Sequence, residues 1–194
     1  MTWAVFLDRD GVLNDEIGLV SKPEDLRLLP GSAAAVRRLK DAGAVVVVVT
    51  NQPVVARGLV TEDGLRAIHR RLEELLAAQG AVLDAIYYCP HHPETHHPEA
   101  KDPRYRRDCD CRKPKPGMIL EAARRFGADL KTSFLVGDST RDIEAGRAAG
   151  VRSVLVRTGL GGKDRPGDGP ADHICGGLSE AADWVLAQAK AKAA

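Results

Sequence analysis

Positions 45–49 are five consecutive valines, preceded by Ala44. β-Branched side chains favour extended backbone, and an unbroken apolar run leaves neither face for water. Such a run suits a strand covered on both sides, as in a parallel sheet between helices. The rest of the chain agrees. Strands are expected at 3–7, 44–49, 85–88, 133–136 and 153–156, and helices at 32–41, 61–79, 118–126, 141–149 and 178–191. The 61–79 segment carries Leu65, Ile68, Leu72, Leu75 and Leu76 on one stripe. The 32–41 segment opens on Ser32 as a cap and stops before Gly43. Repeated β-α-β spacing predicts an α/β fold: one domain over residues 1–194, with a mostly parallel sheet and helices on both faces. Two stretches break the alternation. Residues 89–116 are rich in His, Pro, Arg and Cys; residues 159–170 are rich in Gly and Pro and read as a mobile surface loop.

Charge narrows the function classes. The chain has 28 Lys+Arg against 27 Asp+Glu, a net charge of +1 over 194 residues. That balance supplies no broad basic field for nucleic acid. One anion pocket needs only a few cations and stays possible. No run approaches the roughly 20 apolar residues of a membrane span. The apolar run at 3–7 ends in Asp8 and lacks a basic leader, so it is not a signal peptide. A cytoplasmic protein with neither membrane nor nucleic acid as partner is expected.

The chemistry sits where strands end. Asp8-Arg9-Asp10-Gly11 follows the first strand directly, and ligands of open α/β sheets bind beyond the carboxyl ends of strands. Side chains one residue apart point opposite ways, so Asp10 returns toward Asp8 only through a bend, which Gly11 permits. Two converging carboxylates suit a divalent cation, or a nucleophile with an acid/base partner. Thr50-Asn51-Gln52 closes the valine strand, Arg112-Lys113-Pro114-Lys115 concentrates positive charge, and Val136-Gly137-Asp138 places a further acid at a strand end. Together these are the parts of phosphoryl transfer, which depends on positioning and charge compensation. Each has a plainer alternative: solvated turn acids, a strand-end cap for Thr50, a solvated Lys113. For Asp142, first-turn helix acid is the preferred reading.

Cys89, His91, Cys109 and Cys111 supply three thiolates and an imidazole, a set for a closed tetrahedral zinc site. The C-x-H and C-x-C spacings are tighter than the usual C-x₂-C. His92, His96 and His97 compete with His91, which is preferred. A redox C-x-C pair or a zinc module for nucleic acid fits the composition less well. Metal would order a loop with almost no apolar residues and thereby fix Arg112 and Lys113 beside it.

The ordered motifs FLDRDG, VVVVTN, RKPK and VGDSTRD resemble those of the haloacid dehalogenase (HAD) superfamily, and IYYCPHHPE with CDCRKPKPGM resembles its heptose 1,7-bisphosphate phosphatases, with histidinol-phosphate phosphatases as relatives. The likeness runs from about position 5 to 156. It implies a three-layer Rossmann-like HAD fold with a central mostly parallel sheet, minimal or no cap, and a zinc-binding insertion at 89–111. It implies Asp8 as nucleophile and Asp10 as acid/base. Mg²⁺ would be held by the Asp8 carboxylate, the Asp10 carbonyl and Asp138, and Zn²⁺ by the cysteine–histidine set. Thr50 and Lys113 would stabilise the phosphoryl group, and Arg112 would recognise substrate. Glu16, Ile17, Gly18, Leu19, Asn51, Gln52, Pro53 and Ser139 fall at substrate-binding positions. Two departures stand out: Pro53-Val54, where relatives have small flexible residues, and Ser139, where they often have lysine. The expected partner is a small phosphorylated metabolite, a sugar bisphosphate losing its 7-phosphate, acted on by a monomer. The alternatives are histidinol phosphate as substrate and a non-catalytic zinc-stabilised binding module.

Overall fold

The computed structural model describes residues 2–93, 102–167 and 169–193. Among the described residues six strands form one parallel sheet: β1 (Ala4–Leu7), β2 (Val45–Asn51), β3 (Ala85–Cys89), β4 (Phe134–Gly137), β5 (Arg152–Val156) and β6 (His173–Cys175), in spatial order β3-β2-β1-β4-β5-β6. The helices are α1 (Ser32–Asp41), α2 (Glu62–Ala77), α3 (Gly117–Phe126), α4 (Thr140–Ala149) and α5 (Leu178–Ala193). Chain direction along the sheet reverses at β1/β4, where an open α/β sheet leaves a crevice at its carboxyl edge.

The period of two within the strands assigns each face. Val5, Leu7, Val46, Val48 and Val136 pack with Val36 and Leu39 of α1, Leu72 of α2 and Val185 of α5. Ala4, Phe6, Val47, Val49 and Leu135 pack on the other face with Met118 and Ile119 of α3 and Ala145 of α4. The valine run is therefore buried on both faces, and the three layers are those expected. Between β1 and α1 the chain adds only a 3₁₀ turn at Pro23–Asp25 and isolated bridges, with no cap element among the described residues.

Three expectations change. Ser32 does not cap α1: Gly31, at φ 80°, takes that place, and the buried Ser32 hydroxyl finds no partner. β6, only three residues long, carries too short a pattern to be seen in sequence. Residues 159–167 are not a loose surface loop. Leu160 N–H donates to Asp138 Oδ2 (2.7 Å), Gly162 N–H to the Asp138 carbonyl (2.7 Å), and Thr140 N–H to Asp164 Oδ1 (2.9 Å). His96 and His97 lie outside the described residues.

Gly137, the last residue of β4, passes so close to α4 that a Cβ there would lie 2.2 Å from the Asp142 Cβ and 2.5 Å from its Oδ2. Gly137→Ala should therefore displace Asp142 and destabilise the fold by about 1–3 kcal/mol. At about 2–4 °C per kcal/mol for a chain of this size, calorimetry would register the fall in Tm. An unchanged Tm would show that the contact yields freely.

Candidate active site

Asp8 is the first residue beyond β1, and its N–H donates to the Val136 carbonyl of β4 (2.9 Å). The chain then folds back: Leu13 N–H donates to the Arg9 carbonyl (2.8 Å) and Gly11 N–H to the Asn14 carbonyl (2.8 Å). Gly11 makes the bend possible at φ 77°, and a Cβ there would lie 2.2 Å from Asp138 Oδ2. The chain bends as expected, but the Asp10 carboxylate turns to its neighbours rather than converging on Asp8: it accepts from Arg9, Asn14 and Gln52. Burial pushes the Asp10 carboxyl up, but the Arg9 guanidinium and these bonds outweigh it and hold the group below its ordinary range.

Lys113 ties the strand ends together. Its ammonium, 3% exposed, lies 2.6 Å from Asp142 Oδ1 and 2.9 Å from Asp8 Oδ1, and donates to the Val49 carbonyl (2.7 Å). Burial disfavours the charge; Asp142 and Asp8 reverse that and raise its pKa above the ordinary value. Asn51 anchors the backbone of the same residue, donating to the Lys113 carbonyl and accepting its N–H, both at 3.0 Å. Asn51 side-chain polarity is thus spent on Lys113 as well as facing the cavity. Asp142 is a first-turn acid, as preferred, accepting from Ser139 N–H and Oγ–H. It also reaches the site, a second role that i+4 spacing from Asp138 left open. Thr50 Oγ1 accepts from Gln52 Nε2 (2.8 Å).

Oxygens of Asp8, Asp138 and Asp142 lie within 4.8 Å of one another. Two oxygens on opposite sides of one Mg²⁺ are about 4.2 Å apart. Asp142 is committed to Lys113 and Ser139, which leaves Asp8 and Asp138 as the carboxylates able to take a cation. Burial first, offset by Lys113 and reinforced by Asp142, pushes the Asp8 carboxyl up to about 7. Burial and then Asp8 push Asp138 up to about 8. Buried acids repelling each other in this way fit a divalent cation. Asp10 contributes no carboxylate to the cluster, having turned to Arg9.

The second metal set also fits. Cys89 Sγ lies 3.7 Å from His91 Nδ1 and 3.5 Å from Cys109 Sγ; Cys111 Sγ lies 3.4 Å from His91 Nδ1 and 3.3 Å from Cys109 Sγ. A zinc tetrahedron with 2.3 Å bonds has edges of about 3.7 Å. The Cys111 thiol is pulled down to about 5 by its bonds to Cys89, Cys109 and His91, while Cys89 is pushed up, first by Cys111 and then by burial. A thiolate already stabilised within the cluster is the form a metal takes. Arg112 Nη1 donates to the His91 carbonyl (3.0 Å), coupling this knuckle to the cavity.

A cavity of about 190 Å³ joins these groups. It is lined by Asp8, Asp10, Thr50, Arg112, Lys113 and Asp138, with Glu16, Gly18, Leu19, Asn51, Gln52, Pro53 and Ser139 around them. Ile17 is the exception among the sequence-derived positions: it is 53% exposed and does not line the cavity. Its carboxyl-side neighbour Gly18 donates its N–H to Glu16 Oε1 (2.6 Å), and Glu16, Gly18 and Leu19 line the cavity while Ile17 faces outward. Sequence reasoning missed Val20, Arg141 and Leu160.

The HAD-hydrolase-like family model matches residues 110–181. The D-glycero-D-manno-heptose-1,7-bisphosphate 7-phosphatase of Thermosynechococcus vestitus is 44% identical over 187 residues, which cover 94% of each chain. The D-glycero-beta-D-manno-heptose-1,7-bisphosphate 7-phosphatase of Escherichia coli K12 is 41% identical over 94% of this chain and 87% of its own. This chain belongs to the heptose bisphosphate phosphatase family. It is an HAD phosphatase. The crystal structure of the family member from B. bronchiseptica, complexed with magnesium and phosphate, superposes with a TM-score of 0.83 at 39% identity, covering 97% of this chain and 99% of that one.

Two measurements test the metal sites. Asp8 and Asp138 hold protons more tightly in the metal-free folded state than unfolded, so their contribution to its stability should fall as pH rises from about 5 to about 8. Lys113 stays charged and Asp10 ionised throughout that window, but His69, pushed down to about 3 by burial, and Cys111, pulled down to about 5 by its thiol neighbours, contribute in the opposite sense over parts of it, so the two acids are read through their response to Mg²⁺. Mg²⁺ takes the ionised forms, so the rise in Tm that it induces should grow over the same range; a Mg²⁺ effect independent of pH would contradict the site. Purified protein should carry one zinc per chain by elemental analysis, and Cys109→Ser with Cys111→Ser should lose it. Retention of zinc by that double variant would exclude the knuckle.

Proposed function

We propose that this phosphatase removes the 7-phosphate of D-glycero-D-manno-heptose 1,7-bisphosphate through a covalent aspartyl-phosphate on Asp8. Asp8 Oδ1 is held by Arg9 N–H (2.7 Å) and by Lys113, so the attack falls to Oδ2. The Oδ2–P bond forms as the P–O bond to the sugar breaks, and Asp10 gives the leaving oxygen a proton. Asp10 is ionised in the free enzyme; the incoming phosphoryl dianion raises its proton affinity. Water then attacks phosphorus, Asp10 takes its proton, and Asp8 is released. Lys113 and the Thr50 hydroxyl meet the charge spreading over the phosphoryl oxygens. A divalent cation at Asp8 and Asp138 would supply further neutralisation of phosphate and carboxylates.

The observation that carries the bisphosphate reading is a second cavity, of about 570 Å³, beside the first. It shares Pro53, Arg112, Lys113 and Arg141 with the first cavity and adds Arg57, Lys115 and Arg165. Its one acid, Asp108, pairs with Lys115 (2.6 Å). A substrate with a second anionic group gains from this basin. Histidinol phosphate, whose remote end is an amine, is repelled by it. The guanidinium of Arg141, lining both cavities, supplies positive charge near Ser139, where relatives often carry lysine. All four cysteines are free, which fits a reducing cytoplasm.

Phosphate release from a panel containing both anomers of the heptose bisphosphate and histidinol phosphate should favour the bisphosphate. Asp8→Asn should lower kcat at least about a thousandfold. Arg112→Ala or Arg141→Ala should cost kcat/KM about 10- to 100-fold on the bisphosphate, the loss of one charge-assisted contact. The same variants should barely affect a monophosphate of similar size. Preference for histidinol phosphate would reverse the substrate assignment while leaving the chemistry intact.

A further inference from the structure

Arg9 is wholly buried, at 0% exposure, and ranks among the largest side chains hidden from solvent. Taking a guanidinium out of water costs several kcal/mol, so such a group persists where it meets close compensation. Among the described residues the carboxylate that bonds it is that of the next residue. Arg9 Nη2 donates to Asp10 Oδ2 (2.7 Å) and Oδ1 (2.8 Å), and Nε donates to Oδ1 (3.1 Å). Adjacent side chains of extended backbone point apart; this fork exists only because the turn after Arg9 folds the chain onto the Arg9 carbonyl. Asn14 Nδ2 closes on Oδ1 (2.9 Å) and Gln52 Nε2 on Oδ2 (2.8 Å). Arg9 Nη1 has no partner among the described residues. Its burial is therefore poorly accounted for by stability alone.

We propose that Arg9 is a positioning residue for catalysis: its planar fork locks the plane of the Asp10 carboxylate so that one oxygen is aimed at the leaving group. The inference rests on the acid/base role given above to Asp10. A carboxylate gripped at both oxygens by one rigid group cannot rotate about its terminal torsion, whereas Asn14 and Gln52 each restrain a single oxygen. A proton donor displaced by about 1 Å loses on the order of a hundredfold in rate. Lysine would keep the charge but not the fork.

The test compares two leaving groups through kcat/KM, which reports the first half-reaction. An alkyl phosphate, heptose bisphosphate or whichever alkyl substrate the panel yields, needs a proton on its departing oxygen. p-Nitrophenyl phosphate does not. Arg9→Met and Arg9→Lys should each lower kcat/KM on the alkyl phosphate about 10- to 100-fold through kcat, with KM little changed, and only a few-fold on the nitrophenyl ester. Equal losses on both substrates overturn the inference, as does full rescue by Arg9→Lys, which would reduce the role to charge. If Arg9→Met fails to fold by circular dichroism, Arg9→Lys alone still gives the leaving-group comparison. Wild-type turnover surviving in Asp8→Asn would instead remove the covalent mechanism, an outcome independent of Arg9.

Discussion

The buried ammonium of Lys113 is the contact on which the site depends. It draws together the ends of three strands: Asp8 beyond β1, the Val49 carbonyl in β2, and Asp142 in the first turn after β4. Three acids meet at this edge, and without a cation among them their repulsion would splay the loops. Removing one member of a buried ion pair strands the other charge at a cost of about 3–5 kcal/mol. The charge that holds the site closed is also the one that the proposed mechanism sets against the phosphoryl group. The reciprocal bonds to Asn51 explain how a residue at the end of a long irregular segment holds its place.

That irregular segment explains the second metal set. Residues 102–116 form a single 3₁₀ turn, Pro103–Tyr105, and otherwise lack regular structure of their own. Besides Lys113, the cysteine–histidine knuckle and Tyr105 attach the segment; the Tyr105 hydroxyl donates to Glu62 at the start of α2 (2.7 Å). Tyr88 of β3 donates to the same carboxylate (2.7 Å). Arg112 follows Cys111 directly and bonds back to His91, so order in the knuckle becomes order in the cationic cavity. A zinc ion held by this set would act through geometry, by ordering the chain next to Arg112.

Much of the fold was legible because its signals are short-range. A β-branched run, a stripe of leucines or a glycine after a helix expresses a preference within a few residues, and the main strands and helices fall within a residue or two of their expected bounds. β6 escaped because three residues carry no period. Ser32 misled because a serine at a helix start looks the same in sequence whether it caps or lies one position inside. Arg141, Leu160 and the loop after β5 escaped for another reason. Nothing local in a Gly- and Pro-rich stretch says that its N–H groups will hold Asp138.

The sequence by itself determined the chemistry: acids, hydroxyl and lysine placed just beyond strand ends, and a ligand set for zinc, all readable as residue types in order along the chain. Only the tertiary structure decided how those groups are shared out. It gave Asp10 to Arg9 rather than to the acid cluster, Asp142 to Lys113, Ile17 to the exterior, and a second cavity to a group of arginines far apart in the chain. The reason is physical. Local sequence sets backbone preference and side-chain chemistry, but which buried charges neutralise one another depends on distances fixed only when the β1/β4 crevice closes.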